Sequence, residues 1–362
     1  MDTSKLHVAM FPWLAFGHFI PYLRLSNKLA ERGHKVSYLL AKGALPKLQQ
    51  LNHHPDLIHF FPLVIPHVDG LPSGAETASD VPFPLHDLLI SAMDNTKDQV
   101  ETILTNLKPD IVFFDFGQWI PSITRQLGTK GSLYGRLTGS MKESDAIAVR
   151  TCHEIEGSFC DYLAQQYSKP VLLTGPVLPE TPDAQLEEKW DKWLYKFDPG
   201  SVVYCAFGSQ ITLQKEQFQE MMLGFELSGF PFLVALTPPH GCSTIGEALP
   251  EGFKGRIGER GWVHGGWVPQ TLILKHPSVG YGCKINGRRI EAIEVGRGLD
   301  GMIGKEGLSK AIKSVMDNES ELGNSVKNNH VKWKNIFSGK NWQDEKIDGF
   351  VQDLQFLLES GK

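Results

Sequence analysis

The feature that most constrains this chain is an alternation of strand-like and helix-like segments that runs, stops at a proline-rich break and starts again. The apolar run His7–Leu14 leads through a Gly17-His18 loop to a helix opened by Pro21, with Tyr22, Leu25 and Leu29 at helical spacing and Gly33 as its stop. Lys35–Leu40 and Asp56–Leu63 read as strands, and Leu85–Leu107 as one long amphipathic helix. Ile111–Phe116 reads as a buried strand and Pro121–Leu127 as the start of another helix. Helices between successive strands rule out hairpins, so this order implies a parallel sheet covered on both faces. Helix Glu154–Tyr167 and strand Val171–Thr174 close the first unit, and the proline-rich stretch Gly175–Asp183 reads as a linker. The alternation then restarts with strand Ser201–Phe207, helix Gln214–Leu227, strand Pro231–Leu236 and a short strand near Trp262–His264. Two helices follow, Lys305–Met316 and Asp344–Leu358. The expectation is an α/β protein of two Rossmann-like, doubly wound domains facing a cleft. The first would span 1–177, a linker 178–189, the second 190–340, and a terminal helix 341–362. A cleft between such domains is a common ligand site.

With 362 residues the chain can bury two cores of ordinary size. A formal charge of −5, a pI near 6.2 and the lack of a basic run argue against a nucleic-acid partner. Val8–Leu23 is apolar, but His18 and Pro21 interrupt it and Asp2 spoils a basic leader, so a buried first strand fits better than a signal peptide. No run of about 18 apolar residues suggests a membrane span. The five cysteines are scattered and lack zinc-like spacing, which fits reduced thiols, a cytoplasmic setting and no bound metal.

Two residues could carry acid–base chemistry. His18 follows the first strand, at the sheet edge where ligands bind in open α/β folds, and imidazole can take a proton from a hydroxyl near neutral pH. A lone histidine there is also an ordinary loop residue. Asp115, at the carboxyl end of Ile111–Phe116, has two open readings. It pairs with His18, orienting the imidazole and stabilising its protonated form, or it caps the following helix. A third feature, Gly296-Arg297-Gly298-Leu299-Asp300-Gly301, fits the G-x-G-x-x-G pattern of nicotinamide dinucleotide sites. It lies outside the first βαβ unit and has a loop-like composition.

Gly17-His18-Phe19-Ile20-Pro21, with Leu29-Ala30-x-Arg32-Gly33-His34-x-Val36 after it, resembles the N-terminal pattern of plant family 1 UDP-glycosyltransferases. Asp115 falls where that family's catalytic aspartate is expected. Tyr204-Cys205-Ala206-Phe207-Gly208-Ser209 is similar to its Phe-Gly-Ser loop, and Trp267-Val268-Pro269-Gln270 through Gly280 to the opening of its sugar-nucleotide signature. Arg150-Thr151-Cys152-x-Glu154-Ile155-Glu156-Gly157 and the Lys189–Trp193 region resemble the branch that extends the sugars of flavonoid or anthocyanin glycosides. The resemblance implies a GT-B fold and an inverting, metal-independent transfer from a UDP-sugar, a co-substrate rather than a cofactor, to a phenolic glycoside. It implies His18 as general base and Asp115 as its partner. Trp267 would stack on uracil, with Val268 and Gln270 in the nucleotide site, and Ser209 would lie near the diphosphate.

Against that family pattern two internal segments are short. One, near 128–144, leaves only Ser132-Leu133-Tyr134 as a possible stub of the expected strand. The other, near 281–292, reads Tyr281-Gly282-Cys283-Lys284 where a strand, a His-Cys-Gly turn, a helix, a ribose-binding Glu and a sugar-reading Asp-Gln are expected. The second domain is therefore expected to be incomplete. Three lost charged hydrogen bonds would cost about 5–8 kcal/mol, roughly three to six decades in donor affinity. A non-catalytic relative or a defective gene product is the alternative implied by these gaps.

Overall fold

A computed structural model describes residues 5–121, 133–177, 185–207, 212–286, 289–290, 303–317, 319–337, 339 and 341–360. The chain divides into two compact units, Met1–Pro179 with Gly339–Lys362, and Glu180–Ser338.

Unit 1 is built on a parallel four-stranded sheet of order β3-β2-β1-β4, with β1 at His7–Phe11, β2 at Lys35–Ala41, β3 at Ile58–Leu63 and β4 at Ile111–Phe114. Val8, Ala9, Met10 and Phe11 are all fully buried, as a parallel strand covered on both faces requires. A separate parallel pair joins β5, Ile147–Val149, to β6, Val171–Leu173. The terminal helix Trp342–Ser360 belongs to this unit. Its Ile347, Phe350, Val351 and Leu354 enter the core, Phe350 lies 5.9 Å from Phe113, and Asp344 and Asp348 bind Arg32, which follows the end of the helix Phe16–Glu31. The register pairs Met10 with Phe113 and Phe11 with Phe114, so the chain leaves β1 and β4 side by side at one sheet edge.

Unit 2 holds a five-stranded sheet of order β11-β10-β7-β8-β9. Its strands are β7 Val202–Ala206, β8 Phe232–Ala235, β9 Gly261–His264, β10 Val279–Asn286 and β11 Arg289–Ile290. All neighbours run parallel except β10 and β11. One core packs Phe218, Met222 and Phe225 of the helix Lys215–Ser228 against Phe232, Phe253 and Leu308. The other gathers Trp190, Trp193, Tyr204, Leu233 and Val268.

Several elements differ from the sequence expectation. The first helix spans Phe16–Glu31, so it starts five residues ahead of Pro21 and takes His18 into its first turn. The Ala15 carbonyl accepts from the amides of His18 and Phe19, both at 2.9 Å, and burial of Phe19 and Leu23 holds this turn helical. Pro21, the sixth residue of this helix, lies past the amides that lack an intrahelical partner and so withholds one bond from the ladder, at the Gly17 carbonyl. The expected helix Leu85–Leu107 is two, His86–Asp94 and Lys97–Leu107. At the break, the buried Thr96 hydroxyl donates to the Met93 carbonyl at 2.7 Å, a local bond that competes with the helical ladder. Residues Leu133–Glu143 form a helix rather than a strand stub. Beyond Pro121, the helix expected up to Leu127 lies outside the described residues.

The largest correction concerns the second gap. A strand does follow Ser278: β10 runs parallel to β7 from Val279 to Asn286. Its register shifts between Val279 and Tyr281, and at Gly280 an added Cβ would fall 1.9 Å from the Gly200 carbonyl oxygen. Only glycine admits that approach, so Gly280 is the residue that lets the strand join the sheet. Among the described residues, Glu321–Phe337 is also helical, a third helix beside the two expected near the end of the chain.

Candidate active site

β4 ends at Phe114, and Asp115 follows directly at the sheet edge. Its Oδ1 accepts the backbone amides of Trp13 and Phe116, each at 2.7 Å. Its Oδ2 meets Nδ1 of His18 at 2.6 Å. Of the two readings left open by the sequence, the geometry is that of a His–Asp pair. Both carboxylate oxygens are engaged by the β1 exit, the β4 exit and the first helix. The His18 side chain is 37% exposed and that of Asp115 only 16%. With Nδ1 turned to the carboxylate, Nε2 is the imidazole nitrogen without a hydrogen bond among the described residues. Tyr22, one turn further along the helix, has its phenol pushed well above its ordinary range by burial and then by the Asp115 charge.

Aromatic rings enclose the pair. Phe116 lies edge-on to His18 with centroids 5.6 Å apart, and Trp13 backs Phe116 at 5.5 Å. Neither Trp13 nor Phe116 was singled out from sequence. The signal was present in their places, since Trp13 follows β1 and Phe116 follows Asp115, but nothing local says that two strand exits meet.

The residues that the family resemblance assigns to the nucleotide, Trp267, Val268 and Gln270, lie in unit 2. Trp267 is 81% exposed, an unusual state for a tryptophan. Val268 beside it is buried in the Trp190 core and anchors the segment, while Gln270 is exposed and begins the short helix Gln270–Lys275. Behind them Trp190 stacks on Trp262 at 4.5 Å and meets His264 edge-on at 5.0 Å. Ser209 lies outside the described residues, as do Gly296–Asp300 and Gly301 of the glycine-rich loop. Among the described residues no cluster of three or more His, Cys, Asp or Glu side chains could hold a metal ion, and no helix is long and apolar enough to cross a membrane.

No family model matches the chain. Solved structures give the class of fold. Arabidopsis thaliana UGT89C1 superposes with a TM-score of 0.78 at 21% identity, over 97% of this chain and 100% of that one. Glycyrrhiza uralensis UGT73P12, complexed with glycyrrhetinic acid 3-O-monoglucuronide, gives 0.78 at 17% identity over 99% and 97%. The fold is the GT-B type, α/β with parallel sheets. Curated relatives are closer in sequence. UDP-glucosyl transferase 79T1 of Saponaria officinalis is 42% identical over 449 residues, covering 99% of this chain and 100% of the relative. The anthocyanidin 3-O-glucoside 2'''-O-xylosyltransferase of Arabidopsis thaliana is 42% identical over 461 residues, covering 99% and 98%. The chain belongs to the plant UDP-glycosyltransferases, a family of sugar-transferring enzymes. The match to 79T1 runs nearly end to end in both proteins, yet 449 aligned positions face a chain of 362 residues. This chain is therefore shorter than its relative by internal segments.

Proposed function

We propose that the chain follows the chemistry of UDP-sugar-dependent transfer to a hydroxyl of a flavonoid or anthocyanidin glycoside, with His18 as general base. The observation that carries this reading is the 2.6 Å contact between His18 Nδ1 and Asp115 Oδ2 at the carboxyl edge of the unit 1 sheet. With Asp115 accepting from Nδ1–H, Nε2 holds the lone pair that takes the acceptor's proton. The freed oxygen attacks the anomeric carbon from the face opposite UDP, and configuration inverts. Asp115 stabilises the imidazolium as it forms, while two backbone amides keep its carboxylate aimed. Trp267 offers an exposed indole face for the uracil, and buried Val268 keeps that face in place. Ser209 is assigned to the diphosphate and Gln270 to the nucleotide by the family pattern alone. The acceptor class rests on a relative named for acting on an anthocyanidin 3-O-glucoside.

A second reading, a relative that binds but does not transfer, is favoured by one observation. The sequence after Gly280 has no His-Cys-Gly turn, and the chain is internally shorter than 79T1. The two readings separate in one experiment: calorimetric titration with UDP, then turnover of several UDP-sugars with flavonoid glycosides. Transfer that is lost in His18→Ala supports the enzyme. No UDP binding at millimolar concentration removes it and leaves the binding protein.

A further inference from the structure

We infer that Phe116 is the positioning residue that holds the His18 imidazole on Asp115, through its ring as well as its amide. The inference rests on reading His18 and Asp115 as the acid–base pair. Asp115 cannot turn: the Trp13 and Phe116 amides fix Oδ1 at 2.7 Å each, so Oδ2 has one direction left. His18 is less constrained. It sits in the first turn of its helix, its side chain is 37% exposed, and among the described residues a single hydrogen bond ties its ring to the protein. Water can compete for an exposed imidazole, and rotation about χ1 or χ2 would carry Nδ1 off the carboxylate.

The Phe116 ring is what blocks that rotation. It meets the imidazole edge-on, at 5.6 Å and 65°, a favoured aromatic geometry. Phe116 cannot retreat, because Trp13 stands behind it at 5.5 Å and is itself only 6% exposed. Trp13, Phe116 and His18 thus form a row of rings in which the buried member braces the exposed one. The same two residues supply the amides that aim Asp115. One short loop on each strand exit therefore sets both halves of the pair. The arrangement explains why an aromatic side chain directly follows the acid: a residue whose amide is committed to the carboxylate has its side chain beside the imidazole.

The test is a spectroscopic one on the full chain, so it does not depend on turnover. The proton on a histidine nitrogen bound to a carboxylate gives a far-downfield, exchange-protected NMR signal. In 15N-histidine-labelled protein, His18→Ala assigns that signal and Asp115→Asn removes it. We expect Phe116→Ala to lose or broaden it in a chain that keeps its fold, at a lower melting temperature because Phe116 packs on the core, and Phe116→Tyr, which keeps the ring, to retain it. If Phe116→Ala fails to fold, Phe116→Leu, which keeps bulk without a flat edge, decides in its place. A folded Phe116→Ala or Phe116→Leu that keeps a sharp, protected signal overturns the inference. So does a wild-type chain in which no such signal exists, even if turnover depends on His18. Conversely, loss of the signal in Phe116→Ala stands even if the chain never transfers a sugar. Where turnover is measurable, Phe116→Ala should lower kcat roughly 10- to 100-fold with little change in KM.

Discussion

In unit 1 the ligand-side edge of the sheet is closed around one carboxylate. Two backbone amides, one imidazole and a brace of aromatic rings leave Asp115 no freedom. In unit 2 the described residues assigned to the donor by the family resemblance, Trp267, Val268 and Gln270, lie on one short segment. Trp267 stands exposed, Gln270 makes its contacts through the backbone, and the turn expected after β10 is missing from the sequence. The contrast shows how differently two kinds of site withstand the loss of chain. A pair made by two adjacent strand exits needs only β1, β4 and one helix turn, all of which are intact. A diphosphate grip needs a strand, a turn and a helix N-terminus in sequence, and an internal shortening can remove it while the sheet survives.

The sharpest way to break this comparison is to repair unit 2. Replacing residues 281–292 with the relatives' longer segment should restore the charged contacts to a UDP-sugar. We expect affinity to rise by about three to six decades, the equivalent of about 5–8 kcal/mol, in calorimetric titration. An unchanged affinity would mean that the donor grip was never the weak point. Unit 1 predicts the next largest effect. His18→Ala should reduce transfer roughly a hundred- to ten-thousand-fold in steady-state assays, with no change in melting temperature, because the side chain is partly exposed and outside the core. Retained transfer would detach the pair from the chemistry.

A smaller effect falls on the segment proposed to hold the nucleotide. Trp267→Ala should weaken UDP binding by about 1–3 kcal/mol, the range for loss of a stacked base, and leave stability unaltered. The smallest effect is a pH dependence that probes each unit separately. His34 in unit 1 accepts the Leu6 amide on Nδ1 at 3.0 Å, and His276 in unit 2 accepts the Ser278 amide on Nδ1 at 3.2 Å. Burial lowers the pKa of both. Lys5 and Arg32 lower that of His34 further, whereas Asp191 partly opposes the shift at His276. A histidine depressed in the fold takes up its proton more readily when unfolded. Stability is therefore full above the ordinary value of about 6.5 and declines as pH falls from there through the lower folded value. Urea midpoints measured from pH 7.5 to 5 should fall accordingly, and His34→Gln, which removes one titrating group, should flatten the decline for unit 1.

The sequence made the strands legible where their apolar runs are continuous: β1, β4, β7 and β8 lie within the segments expected, and β2 runs one residue past its own, to Ala41. It was less reliable at starts and breaks. Pro21 marks a helix start by its own preference, yet Phe19 and Leu23 pack before and after it and carry the helix through. The break at Thr96 depends on one hydroxyl turning back to its own backbone, which no periodicity reveals. β10 was hidden for a different reason. Its family pattern ends at Gly280, and its place in the sheet depends on a bulge against Gly200, a residue some eighty positions away.

The candidate site divides along the same line. Residue types and their position after apolar runs are local properties, so the sequence by itself determined the α/β class, the family, and the presence of His18 and Asp115 at strand exits. Whether Asp115 would cap a helix or bind His18 was not local. The parallel register of β1 on β4 decided it, by bringing the amides of Trp13 and Phe116 and the first turn of a helix onto the same carboxylate. Residues 97 positions apart meet only because hydrogen bonding between the strands fixes their ends side by side, and that geometry belongs to the folded sheet.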